Sequence, residues 1–178
     1  SERAVLFGLR CGDSDATGRA LVAQGSWLYY LNRPHEAIHT FEQALEYLHA
    51  HSVRNRFSAL QFLGLCHQSV GDLHSAARYV NEARGQLPPD DVNAEGKLLW
   101  LQARISYRLN RFDETLQLLE KVVAIFAEIH LGETALATCE LARTHLLRGN
   151  GEAAFRVASS LRSLIEPLRH NRIISSAI

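Results

Sequence analysis

Residues 60–83 read LQFLGLCHQSVGDLHSAARYVNEA, and this stretch decides the fold. On either side of Gly71, apolar residues recur three or four positions apart, which is the spacing of a helix that buries one face. Glycine accepts the left-handed backbone that ends a helix, and Asp72 directly after it is a preferred cap for the next helix. The stretch therefore predicts two antiparallel helices that approach each other closely at the small residues Gly64 and Ala76.

The pattern of this stretch occurs four times along the chain, at a constant spacing of 39 residues and without gaps. A fixed period of this kind is the signature of a helical repeat protein. Only asparagine and glycine occupy the turn position, at Asn32, Gly71, Asn110 and Gly149. Small residues recur in the middle of each first helix, at Gly25, Gly64, Ala103 and Ala142. We therefore expect an all-α fold, an α-solenoid of antiparallel helix pairs.

The repeat register gives the bounds of the expected elements. First helices are predicted near 17–31, 54–70, 91–109 and 132–148, and second helices near 34–52, 73–87, 112–130 and 151–168. They form units at approximately 17–52, 54–88, 91–130 and 132–168, which we expect to make up a single domain over residues 1–178. Partial helices are expected at 1–10 and 171–178. Because neither has a polar capping face, we expect a longer parent solenoid, or a partner such as a second copy, at these ends.

The composition argues against several classes of function. Lys plus Arg and Asp plus Glu number 19 each, so the net charge is zero and neither nucleic-acid binding nor a polybasic membrane patch is expected. The longest apolar stretch, 122–129, is far shorter than the ~20 residues that span a bilayer. Cys11, Cys66 and Cys139 are too far apart for a disulfide framework or a zinc ribbon, which favours a reducing, cytoplasmic location.

The repeats resemble the tetratricopeptide (TPR) family at its characteristic positions. The first two units supply Gly25, Asn32, Glu36-Ala37-Ile38, Phe41 and Ala44, and then Gly64, Gly71-Asp72-Leu73, Ala76, Ala83 and Pro88. The later units depart from the pattern, with Thr115 and Val122 where alanine is usual and Gly151 in place of an aromatic residue. The usual period is about 34 residues, and the longer one is similar to that of TPR domains in bacterial regulators of the MalT-like kind.

The resemblance implies a protein- or peptide-binding scaffold, used as a docking or sensor module of a bacterial regulatory protein, with no catalytic residues, metal or cofactor. In this family the first helix of each unit lines the concave binding surface. The residues at the groove positions are Arg19, Val22, Ser26, Tyr29, Tyr30, Gln61, Leu65, Gln68, Lys97, Trp100, Arg104, Tyr107, Arg108, Cys139, Arg143 and Leu146.

Aromatic and arginine side chains are enriched among these groove positions, as they are in protein interfaces. We expect an acidic, partly apolar partner segment that stacks on Trp100 and Tyr107 and pairs its carboxylates with Arg104, Arg108 and Arg143. A second interpretation stays open, in which the two aromatic residues pack against neighbouring helices and the arginines are solvated.

One motif points to a different function. Residues 35–39 match H-E-x-x-H, in which two histidines four positions apart bind zinc and the glutamate acts as a general base. The repeat register explains the same residues more simply, because Glu36, Ala37 and Ile38 occupy positions where TPR units have Glu-Ala-apolar. A zinc-dependent hydrolase that uses His35 and His39 is therefore the alternative to a binding module, and a self-assembly module is a third possibility.

Overall fold

Helices make up nearly all of the described chain. A computed structural model describes Val5, Gly8 and residues 10–162. The helices are α1 (Ser14–Tyr30), α2 (Pro34–Tyr47), α3 (Val53–Val70), α4 (Leu73–Arg84), α5 (Val92–Arg108), α6 (Phe112–Ala127) and α7 (Leu131–Leu147). Residues 151–162 are also helical, and no strand occurs in the part of the chain that is described. The expected all-α fold of antiparallel helix pairs is confirmed.

The chain divides into two compact units, residues 1–94 (unit 1) and residues 95–178 (unit 2). The single domain expected from the sequence stays a prediction. Of the predicted helix at 1–10, Val5, Gly8 and Arg10 are helical. The predicted helix at 171–178 lies outside the described residues, as does the last predicted second helix beyond residue 162.

The observed helices begin and end close to the predicted residues, and the differences have local causes. α1 begins at Ser14 instead of residue 17, because the Asp13 carboxylate accepts a hydrogen bond from the Ala16 N–H (2.9 Å) and caps the helix. α2 ends at Tyr47 instead of residue 52, because Leu48 adopts an extended backbone conformation. A loop therefore links α2 to α3 where the sequence predicted a longer helix.

The four turn positions have the left-handed backbone that the sequence predicted. The φ angles are 58° at Asn32, 89° at Gly71, 57° at Asn110 and 73° at Gly149. Asparagine is one of the few residues with a side chain that tolerates this region, so the two asparagines serve where the repeat otherwise uses glycine. Each turn reverses the chain within a few residues and lets the second helix pack back against the first.

In unit 1, three helices meet at the ring of Phe41 on α2. A Cβ atom on Gly25 of α1 would lie 2.8 Å from this ring, so α1 and α2 approach each other only because residue 25 has no side chain. On its other side, the ring stacks on Phe62 of α3, with centroids 5.3 Å apart. Phe41 is fully buried. The small residue in the first helix thus makes room for a large one in the second.

Unit 2 has a comparable close approach of its paired helices, at a different position in the repeat. A Cβ atom on Gly96 of α5 would lie 2.9 Å from the ring of Phe126 on α6. Phe126 shares a buried cluster with Val122 of the same helix and Ala137 of α7. A second buried cluster contains Ala103, Leu118, Leu119 and Leu141, which come from α5, α6 and α7. Together the two clusters fix these three helices, which carry one of the candidate binding faces described below.

Asp15 ties the start of α1 to the loop before α3. Its carboxylate accepts hydrogen bonds from the Ser52 hydroxyl and from the His49 backbone N–H (3.2 Å), and it forms an ion pair with Arg19. The hydrogen bond from Ser52 is the main cause that lowers the pKa of this carboxyl below its usual value, followed by the His49 N–H and Arg19.

Replacing Gly25 by alanine tests the close approach of α1 and α2. Alanine raises helix propensity by about 1 kcal/mol relative to glycine, but overpacking at the buried Phe41 ring costs about 1–3 kcal/mol. We expect a net loss in the free energy of unfolding, measured with urea. Gly132→Ala is the matched control, since a Cβ atom at Gly132 would have nothing within 4 Å. Equal stability of the two variants would show that α1 and α2 do not meet at this point.

The Asp15 contacts predict a pH-dependent contribution to stability. The pKa of Asp15 is lowered in the folded state, so the contribution is present above the unfolded-state pKa and is lost as the pH falls through the folded-state pKa. We expect Asp15→Asn to be less stable than the wild type at neutral pH and equally stable near about pH 2. Urea unfolding at both pH values measures this, with the exposed Glu120→Gln as the control. A stability difference that does not change with pH would contradict the assignment.

Candidate functional site

The residues predicted for the groove differ widely in their accessibility. On α1, Arg19 and Tyr30 are exposed, and Ser26 and Tyr29 are half-buried. On α3, Gln61 and Gln68 are buried at 9% exposure each, so their side chains offer little surface to a partner. The accessible residues of unit 1 therefore lie mainly on α1.

Three aromatic rings of unit 1 form a cluster at the end of α1. The ring of Tyr29 lies 5.6 Å from those of Tyr30 and of Phe62 on α3, in edge-to-face geometry. Tyr30 and Phe62 are 6.2 Å apart. We call these three residues the unit-1 aromatic cluster. The sequence interpretation missed Phe62, which lies one position outside the groove pattern, because its contact with α1 depends on how α1 and α3 pack.

In unit 2, five side chains from α5 and α7 form a second face, which we call the unit-2 face. It consists of Trp100, Arg104, Tyr107, Glu140 and Arg143. The indole Nε1–H of Trp100 donates a hydrogen bond to Glu140 Oε2 (2.8 Å), and Arg104 Nε lies 3.8 Å from Glu140 Oε1. The guanidinium of Arg143 lies over the ring of Tyr107, 4.8 Å from its centroid. The structure therefore brings together four of the residues that the sequence predicted.

The aromatic residues of the unit-2 face are partly interior. The Trp100 ring is tilted against Phe126, with centroids 5.8 Å apart, and the Tyr107 ring contacts Phe112 edge-to-face at 5.9 Å. Both residues are half-buried. They thus pack against neighbouring helices, as the second interpretation proposed, while keeping an accessible side as a binding surface requires.

The cations of this region differ in their partners. Arg104 has Glu140 beside it. Over residues 10–162, by contrast, no carboxylate lies within ion-pair distance of Lys97, Arg108 or Arg143. Within the unit-2 face, the sequence interpretation missed Glu140, which lies three positions before Arg143 on α7. The positive charges of Lys97, Arg108 and Arg143 are therefore not offset by an ion pair, whereas Glu140 partly offsets that of Arg104.

Apolar side chains continue along the exposed surface of α7. Leu136 and Leu146 are each 61% exposed, and Cys139 between them is exposed as well.

Cys66 of unit 1 is different, because burial raises the pKa of its thiol to about 12, as expected for an apolar filler. No helix among the described residues has the length and hydropathy needed to cross a membrane.

The H-E-x-x-H motif lies on the exposed side of α2. His35 and His39 are exposed, and the Glu36 carboxylate accepts a hydrogen bond from Arg33 Nε (2.6 Å). Within the described ranges, no group of three or more His, Cys, Asp or Glu residues is placed to hold a metal ion. Zinc sites in proteins use three or four side-chain ligands, so two exposed imidazoles fall short of such a site.

Comparisons with known proteins identify the fold. No family model matches the chain, and no curated protein matches it. The crystal structure of MamA protein is similar with a TM-score of 0.64 at 15% sequence identity, over 92% of this chain and 89% of that chain. The crystal structure of PilW, a widely conserved type IV pilus biogenesis factor, gives a TM-score of 0.63 at 16% identity, over 90% of this chain and 74% of that chain. At these identities the likeness shows the fold alone, which is a TPR-like helical-repeat fold.

The exposed histidine pair leads to a prediction about zinc. After equilibration with zinc and gel filtration, we expect the chain to retain well below one zinc ion per molecule, because only two imidazole ligands are available at the motif. Elemental analysis of the protein peak measures the metal content. One zinc ion per chain that is lost in His39→Ala but kept in the control His51→Ala would contradict this expectation and favour the hydrolase alternative.

Proposed function

We propose that this protein is a docking module that binds an acidic, partly apolar segment of another protein on the unit-2 face. The observation that carries the proposal is the pairing of Arg143 with Tyr107. The guanidinium lies over the aromatic ring, which holds it in place, and no carboxylate among the described residues lies within ion-pair distance of it. A cation held in this way keeps its N–H donors available to a carboxylate.

The surroundings of Arg143 support a partner with apolar side chains as well. Trp100 and Tyr107 are half-buried, so part of each side chain remains accessible to a partner. Leu146 adds an exposed aliphatic side chain on the same helix as Arg143. Buried aromatic and arginine anchors supply most of the binding energy in protein interfaces. The unit-1 aromatic cluster offers a further apolar surface, with Tyr30 71% exposed.

The proposal places this module in a regulatory protein of the bacterial cytoplasm. The 39-residue period supports it, because that period is similar to the long TPR repeats of MalT-like regulators. Cys11, Cys66 and Cys139 are all free thiols, which fits a reducing compartment. A binding role without catalysis agrees with the exposed, two-imidazole arrangement at the H-E-x-x-H motif.

Reversing two charges of this region tests the proposal. The probe is a fluorescently labelled peptide rich in Glu and Leu, and the readout is fluorescence anisotropy. We expect Arg104→Glu with Arg108→Glu to weaken binding by at least about tenfold, because Arg108 no longer attracts the carboxylates of the peptide and both new glutamates repel them. Circular dichroism should show unchanged helix content.

The matched control reverses two positive charges away from this region. Lys121 of α6 and Arg162 of the last described helical segment are exposed, and Lys121→Glu with Arg162→Glu changes the net charge by the same amount. We expect this variant to bind the peptide almost as well as the wild type. Equal weakening in both variants, or no binding of the peptide to the wild type, would reject the unit-2 face as the docking site.

A further inference from the structure

Glu140 brings a negative charge into the middle of the unit-2 face. Both of its carboxylate oxygens are directed towards α5, since Oε2 accepts the hydrogen bond from Trp100 Nε1–H (2.8 Å) and Oε1 lies 3.8 Å from Arg104 Nε. The side chain of Glu140 is 25% exposed and that of Arg104 is 45% exposed. Glu140 thus occupies the place at Trp100 and Arg104 that a carboxylate of a partner would otherwise take.

Repeat packing does not account for an acidic residue at this position. The equivalent residues in the other three 39-residue repeats are Ala23, Phe62 and Leu101, none of which is charged. Leu101 is almost fully buried and Phe62 contacts aromatic rings of unit 1, so an apolar residue serves the repeat well here. The carboxylate of Glu140 is therefore a local feature of the unit-2 face.

We propose that Glu140 determines the specificity of this face, as a resident carboxylate that excludes acidic side chains of the partner from Trp100 and Arg104. The acidic side chains are thereby directed to Arg143 and Arg108, and the surface beside Trp100 receives an uncharged side chain. This inference rests on the proposed function, because it assumes that an acidic segment binds the unit-2 face.

Electrostatics gives the direction of the effect. A carboxylate that approaches Arg104 comes within a few ångströms of Glu140, and like charges repel most strongly where the surroundings are partly desolvated. Glu140→Gln removes this repulsion and keeps an amide oxygen that accepts the hydrogen bond from Trp100. The substitution therefore separates the charge of residue 140 from its structural role.

The experiment titrates the same Glu- and Leu-rich peptide, unlabelled, into variants that carry Trp27→Phe. The chain has two tryptophans, and Trp27 is 66% exposed, so this background leaves Trp100 as the single indole reporter without disturbing a packed core. We expect Glu140→Gln to bind the peptide about three- to tenfold more tightly, as the loss of one nearby like charge implies. A peptide with Gln in place of Glu should show no such gain.

Two controls separate the local effect from net charge and from helix packing. Glu133→Gln also removes one negative charge from α7, but Glu133 lies 3.7 Å from His130, outside the unit-2 face, so we expect no gain in affinity. Glu140→Asp keeps the charge on a shorter side chain, and we expect no gain there either. A gain in all three variants would overturn the inference, because it would reflect net charge or loosened packing.

The outcomes distinguish this inference from the proposed function. If the wild type binds the peptide, and Arg104→Glu with Arg108→Glu weakens binding, but Glu140→Gln binds equally or more weakly, the specificity role of Glu140 is rejected and the docking face stands. If the wild type does not bind the peptide, the proposed function fails, and the inference about Glu140 fails with it.

Discussion

The close approach of paired helices at small residues is the constraint on which the rest of the structure depends. Gly25 in unit 1 and Gly96 in unit 2 each leave room for a phenylalanine of the second helix, Phe41 and Phe126. Each phenylalanine then packs against the next first helix, through Phe62 in one unit and Ala137 in the other. The same ring therefore joins the two helices of a pair and connects that pair to its neighbour.

Much of the fold could be predicted from the sequence because its signals are local. A left-handed turn residue and the apolar spacing of a helix act over a few positions, and the four turns lie at the predicted residues. Helix ends were predicted less well. α2 ends five residues earlier than expected because residues 48–52 form a loop, in which the His49 N–H and the Ser52 hydroxyl bond to Asp15 of α1. A contact so distant in sequence has no local signal.

The same distinction between local signals and contacts distant in sequence applies to the candidate site. The repeat register identified Trp100, Arg104, Tyr107 and Arg143, which the structure places on one face. The register could not show that Glu140 of α7 reaches across to α5, because the distance between these side chains depends on how the two helices pack. The register also could not show that Gln61 and Gln68 are buried. It gives the position of a residue on its own helix, but not how closely a neighbouring helix covers the side chain.

The three cysteine thiols differ in how accessible they are to reagents in solution. Cys11 and Cys139 are exposed to solvent, whereas Cys66 of α3 is buried, and this burial raises the pKa of its thiol to about 12. An electrophile or a mild oxidant therefore modifies the two outer sulfurs of the native chain and reaches the inner one only when a helix pair comes apart. The rate at which Cys66 is modified therefore reports the transient opening of unit 1, without an engineered label.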